Sequence, residues 1–140
     1  MDPIVVGTDG SPGAEAAVRK VVELMEGKRA SVVVVCAYPG RSTLERIGMT
    51  ARTESVDLRG VAADVLARAE RRFEEAGFDV DVSAREGDPV DTLLEIADDV
   101  NAGMIVVGSR GNTESRRFHM GSVPAKLAHH ARRTLLIVHD

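Results

Sequence analysis

The stretch "MIVVGSRGNTESRRFHMGSVPAKLA", residues 104–128, holds the pattern that decides how the chain is built. It opens on a continuous apolar run, Met104-Ile105-Val106-Val107, and closes on a segment with helical spacing. Continuous runs of branched residues fit strands covered on both faces, as parallel sheets are. Between strand and helix stand Gly108, Gly111 and Gly121, where a turn needs only one glycine. Backbone without Cβ can approach a neighbour or an anion closely.

The same alternation of strand and helix extends to both ends. Ile4-Val5-Val6 and Val32-Val33-Val34-Val35 are further buried-strand runs, and Thr134-Leu135-Leu136-Ile137-Val138 closes the chain as a fifth strand. Val80, Val82 and Ala84 alternate with Asp79, Asp81, Ser83 and Arg85, the period-two pattern of a strand with one wet face at a sheet edge. Four helices are predicted in between. The first opens at Ser11-Pro12, a cap residue followed by proline at the first helical position, with the stripe Ala14, Ala17, Val18, Val21, Val22 and Met25. The second is predicted from about Val56 to Ala76. Leu58, Val61, Ala62, Val65, Ala69 and Phe73 share one face, and Gly77 follows as a C-terminal stop. The third starts at Asp88-Pro89 and turns Val90, Leu93, Leu94, Ala97 and Val100 inward; the fourth runs from near Ser122 to Ala131. Residues 39–54 form the one long irregular connection.

The order β-α-β-α-β-α-β-α-β, joined by right-handed crossovers, predicts an α/β fold with a single doubly wound parallel sheet. The whole chain, residues 1–140, reads as one domain, a size that buries enough surface to need no staple. Its single cysteine, Cys36, excludes an internal disulfide framework and fits a reducing compartment, so a cytoplasmic protein is expected. The start of the chain lacks a basic leader segment, and no run reaches membrane-spanning length. A net charge of −4 and 3% aromatic residues argue against a general nucleic-acid binder or a base-stacking platform.

Ligands of doubly wound sheets bind beyond the carboxyl ends of the strands, where strand order reverses. Here that point lies beyond the first and fourth strands. Gly121-Ser122 would offer an anion the free N–H groups of a helix start, with Arg110, Arg116, Arg117 and His119 in the same loop. The alternative is that Gly108 and Gly111 only shape a turn and Ser122 only caps a helix. The loop is neither a Walker loop nor a GxGxxG fingerprint. The first strand ends in Gly7-Thr8-Asp9-Gly10-Ser11. Asp9 there would accept from a ribose hydroxyl or hold Mg²⁺ through water; equally, Asp-Gly-Ser-Pro is a turn signal in its own right. His129 and His130 are adjacent on a helix and diverge by about a hundred degrees, which suits a solvated face better than a metal. His119 and His139 have no acidic or cysteine cluster beside them, and no G-x-S-x-G elbow occurs. Asp88 and Asp91 read as helix-start residues.

The spacing Gly108-x2-Gly111-x9-Gly121-Ser122 between the fourth strand and fourth helix resembles the ATP-binding signature of the universal stress protein family. "IVVGTDGSPGAEAAV" (residues 4–18) and "TLLIVHD" (residues 134–140) are similar to that family too. The resemblance implies a sheet in the order 3-2-1-4-5 and a site for ATP with Mg²⁺, assembled from named positions. Asp9 would contact the ribose or assist the metal, with Thr8 beside the nucleotide. Ala37 would meet adenine through its backbone, with Val35 and Cys36 shaping the pocket. Gly108 would lie near the ribose, and Arg110 is the arginine best placed for phosphate. Gly111, Gly121 and Ser122 would contact phosphates, and Val123 would donate its backbone N–H. The implied role is nucleotide-linked regulation in a stress response, with a regulatory partner and no catalytic residue.

Two other classes stand beside this reading. One is a slow ATPase or adenylate-forming enzyme of similar fold, whose Ser-Gly-Gly-x-Asp-Ser loop is not matched by Thr8-Asp9-Gly10-Ser11-Pro12. The other is an interaction module with vestigial nucleotide binding, against which the intact glycines count. In the implied sheet, strands three and five are edges. The fifth, residues 134–138, is uncharged, so a homodimer paired through it is expected.

Overall fold

The computed structural model describes residues 1–40, 48, 57–110 and 122–140. Most of the predicted connection 39–54 lies outside these residues, as do Gly111, Arg116, Arg117, His119 and Gly121. The described strands are β1 (Ile4–Gly7), β2 (Ser31–Tyr38), β3 (Asp79–Glu86), β4 (Met104–Gly108) and β5 (Thr134–Val138). They form one sheet in the order β3-β2-β1-β4-β5, and every pairing is parallel. The helices are α1 (Pro12–Leu24), α2 (Leu58–Glu75), α3 (Pro89–Asp99) and α4 (Ser122–His130). The predicted order of elements and the doubly wound sheet are thus both present.

Each strand feeds two cores because neighbouring side chains point to opposite faces. Ile4, Val6, Val32, Val34, Cys36 and Val106 pack with α1 and α2. Val5, Val35, Ile105 and Val107 pack with α3 and α4. The largest fully buried helical side chains are Phe73 of α2, Leu93 of α3 and Leu127 of α4. Phe73 meets Phe78 edge to face, with ring centroids 5.1 Å apart.

The helix starts follow their capping residues. The Ser11 hydroxyl accepts from the Ala14 N–H at 3.2 Å, and the Asp88 carboxylate accepts from the Asp91 N–H at 3.0 Å. Asp88 is therefore a cap, as expected. Gly77 follows α2 with φ +87°, the left-handed conformation of a helix stop. Arg133 fastens the start of β5 to the end of α3, donating to the Ala102 carbonyl at 2.8 Å and to Asp98 at 2.9 Å.

Four details depart from the sequence reading. α2 begins at Leu58, not near Val56, because Asp57 caps it by accepting from the Gly60 N–H at 3.0 Å. Within α2, Leu66 is buried while Val61 is 53% exposed, so the apolar stripe is rotated from the expected one. Ile96 takes the inward place in α3, whereas Leu94 and Val100 are half-buried at the margin of the core. At the sheet margin, Val80 and Ala84 are half-buried on the α1/α2 core while Val82 is 41% exposed. A marginal strand receives only partial cover.

Candidate functional site

The chain leaves β1 through Thr8-Asp9-Gly10 and enters α1, and it leaves β2 through Ala37-Tyr38. It leaves β4 through Gly108-Ser109-Arg110. The parallel sheet brings these exits to one end. The Thr8 N–H donates to the Val35 carbonyl at 2.9 Å, which ties the end of β1 to β2. The β1–β4 register pairs Val6 with Val106, and its continuation sets Thr8 level with Gly108. The chain builds outward from β1 through β2 to β3 on one side and resumes with β4 on the other, so the switch point lies between β1 and β4 at this end of the sheet.

The Thr8-Asp9-Gly10-Ser11 turn is held by its own side chains. The buried Thr8 hydroxyl accepts from the Gly10 N–H at 3.1 Å. Asp9 Oδ1 accepts from the Ser11 N–H at 2.9 Å. The turn chemistry read from Asp-Gly-Ser-Pro is therefore real, and it also fixes where the Asp9 carboxylate stands. Gly10 has φ +79°, and a Cβ there would come within 2.9 Å of Val65 in α2. A glycine is required for both reasons. Beside the turn, a cavity of about 430 Å³ opens between α1 and α2, walled in part by Thr8, Gly10, Val18, Val65 and Arg68. Arg68 reaches across it toward Glu15 at 3.9 Å, with both side chains more than half exposed.

Val35 and Cys36 are buried beside the turn, and Ala37 is half-buried. Burial pushes the Cys36 thiol up to about 11, and the negative charge of Asp9 adds to the shift. Cys36 is accordingly a neutral thiol at neutral pH, suited to lining a pocket rather than to acting as a nucleophile.

Gly108 faces protein more directly than the sequence suggested. A Cβ on it would lie 2.5 Å from the Gly13 carbonyl oxygen and 2.6 Å from its carbonyl carbon. The glycine lets β4 pass against the first turn of α1. At the start of α4, Ser122 is exposed and Val123 is buried. Pro124 is buried beside it. Thr8, Asp9, Val35, Cys36, Ala37, Gly108 and Arg110 thus stand on the strand exits at one end of the sheet. Ser122 and Val123 begin the helix that follows, and Gly111 and Gly121 lie outside the described residues. His129 and His130 sit at the far end of α4, both exposed.

Sequence reasoning did not connect Gly13, Val65 or Arg68 with the site, although Val65 was expected on the inward face of its helix. Val65 and Arg68 reach the turn only through packing of α2, which no local signal announces. Gly13 did carry a signal: a glycine in the first helical turn, where alanine is the better helix former.

Comparison with known proteins bears on this geometry. The model of the universal stress protein family matches residues 1–139. Universal stress protein Rv1636 of Mycobacterium tuberculosis is 33% identical over 139 residues, covering 97% of this chain and 94% of that protein. The structure of hypothetical protein MJ0577 of Methanocaldococcus jannaschii superposes with a TM-score of 0.81 at 23% identity, covering 99% of this chain and 96% of that one. A universal stress protein solved in complex with cAMP superposes with a TM-score of 0.70 at 30% identity, covering 99% of this chain and 96% of its own. On the family match along nearly its whole length, and on the shared fold, this chain belongs to the universal stress protein family.

Proposed function

We propose that this chain binds ATP, with Mg²⁺, beyond the carboxyl ends of β1 and β4, and acts in the cytoplasm as a nucleotide-linked regulator of a stress response. One observation carries the reading. The Thr8–Asp9 turn, the Cys36–Ala37 end of β2 and the Gly108–Arg110 exit of β4 converge where strand order reverses. The cAMP complex of a 30% identical family member supports an adenine nucleotide as the ligand class. Adenine would rest against Val35, Cys36 and the Ala37 backbone, and ribose would meet Asp9 with Thr8 and Gly108 alongside. Phosphates would extend toward Arg110, Gly111, Gly121, Ser122 and the Val123 N–H. Among the described residues no group of three or more His, Cys, Asp or Glu side chains is placed to hold a metal. A Mg²⁺ ion would arrive on the phosphates, with Asp9 reaching it through water.

Asp9→Ala tests this reading. Removing a charge-assisted hydrogen bond costs about 1.5–3 kcal/mol, so Mg-ATP affinity is expected to fall roughly ten- to a hundredfold. Losing the Ser11 N–H contact within the turn, also a bond to the carboxylate, costs stability of the same order, about 1.5–3 kcal/mol, so affinity has to be read on the folded fraction. Calorimetric titration with Mg-ATP and a thermal melt on both proteins separate the two effects. Equal affinity would leave Asp9 as a turn residue only.

We further propose a homodimer paired through β5. The strand is a sheet edge, and Leu135, Leu136 and Ile137 remain only half-buried within the chain. Exposed apolar edges favour pairing with another strand. Light scattering is expected to show a dimer, and Ile137→Lys to weaken it by about tenfold or more, equivalent to roughly 1.4 kcal/mol. A wild type that stays monomeric at high micromolar concentration would exclude this pairing.

A further inference from the structure

We infer that Gly13, in the first turn of α1, is a positioning residue that sets the path of the chain as it leaves β4 and thereby the grip on nucleotide; the inference rests on the nucleotide reading above. Gly13 is buried, and the Arg110 carbonyl oxygen occupies the place where its Cβ would stand. The Arg110 carbonyl carbon and amide nitrogen lie 3.3 and 3.7 Å from that position. Gly108 makes the reciprocal approach, because its own Cβ would strike the Gly13 carbonyl group and come within 3.1 Å of the Ala14 nitrogen. Two stretches of backbone therefore touch with no side chain between them.

Both stretches are anchored. The Ser11 hydroxyl holds the Ala14 N–H, the Glu15 N–H donates to the Ser11 carbonyl at 3.0 Å, and Ala14 and Ala17 are buried. On the other side, the Ser109 N–H donates to the Val138 carbonyl at 2.8 Å. Arg110 is the first residue past that bond. A methyl group on Gly13 collides with the Arg110 carbonyl, and one of the two backbone stretches must give. The helix is fixed by its cap and core, so the Arg110 peptide is the part that yields. Arg110 is itself the arginine assigned to phosphate in the nucleotide reading, so displacing its peptide displaces one of the proposed contacts.

Gly13→Ala separates this role from a local one. Alanine is the better helix former, so helix propensity alone predicts a higher melting temperature and unchanged affinity. A role in packing alone predicts lower stability, with unchanged affinity in the folded fraction. The positioning role predicts that folded Gly13→Ala binds Mg-ATP about tenfold or more weakly, because binding groups must be held within about 0.5 Å. It also predicts that, without nucleotide, the Ser109 and Arg110 amide resonances shift from their wild-type positions. Affinity is read by calorimetry and the amides by NMR. Wild-type binding with equal affinity in the variant overturns the inference, and so do unmoved Ser109 and Arg110 resonances. Absence of binding in the wild type defeats the nucleotide reading instead, and the resonance comparison then decides whether Gly13 positions Arg110. Should the variant fail to fold, the wild type decides by titration with Mg-ATP. The Gly13 and Arg110 amides are expected to shift with one midpoint, and a Gly13 resonance that ignores nucleotide overturns the inference.

Discussion

Gly121→Val is expected to lower Mg-ATP affinity by about a hundredfold or more, equivalent to roughly 2.7 kcal/mol, while the protein stays folded. Gly121 precedes Ser122, the first residue of α4. A helix start attracts anions because its first N–H groups have no partner within the helix and carry a partial positive charge. If phosphates meet this helix start, as proposed above, a branched side chain added one residue before it hinders them. The helix start has little freedom to retreat, since Val123 is 2% exposed and Leu127 is fully buried in the α3/α4 core. A glycine that only shaped a turn would behave differently, with stability falling and binding lost in proportion to unfolding. Melting temperature and Mg-ATP affinity measured on the same sample distinguish the two.

Phe73→Ala is expected to destabilise the fold by about 3–5 kcal/mol, the range for removing a fully buried aromatic side chain. Phe73 is wholly inaccessible, lies in the last turn of α2, and loses an edge-to-face partner in Phe78 when truncated. The rigid strands around it, with Val32 and Val34 in the same core, leave the cavity little room to collapse. Denaturant unfolding should show an earlier midpoint. The folded fraction should bind nucleotide as wild type does, because the last turn of α2 lies at the end of the sheet remote from the strand exits. A loss below about 1 kcal/mol would mean that the α1/α2 core repacks around the gap.

The fold was legible because parallel strands covered on both faces leave uninterrupted apolar runs, as at Val32–Val35 and Met104–Val107. Helix starts were legible where a cap and a proline coincide, at Ser11-Pro12 and Asp88-Pro89. The start of α2 was not, because Asp57 caps it without a following proline. The burial of Leu66 in place of Val61 depends on how α2 rolls against the sheet, which periodicity leaves undetermined within one helical turn. The site divides in the same way. Local chemistry exposed the Asp9 turn. By contrast, the contacts of Gly108 with Gly13 and of Gly10 with Val65 join segments far apart in the chain. Glycine in a sequence announces a close approach without naming what approaches, and at Gly108 the neighbour in the structure is the backbone of α1.

The most direct test of the nucleotide site is amide NMR of the wild-type protein titrated with Mg-ATP. Saturable binding of one nucleotide per chain is predicted. The largest shifts should fall at Thr8, Asp9, Ala37, Gly108 and Ser122, while Phe73, Phe78 and the other residues at the remote end of the sheet should stay in place. Saturation with the shifts confined elsewhere, or no saturable shift up to millimolar Mg-ATP, would contradict a nucleotide site at the carboxyl ends of β1 and β4.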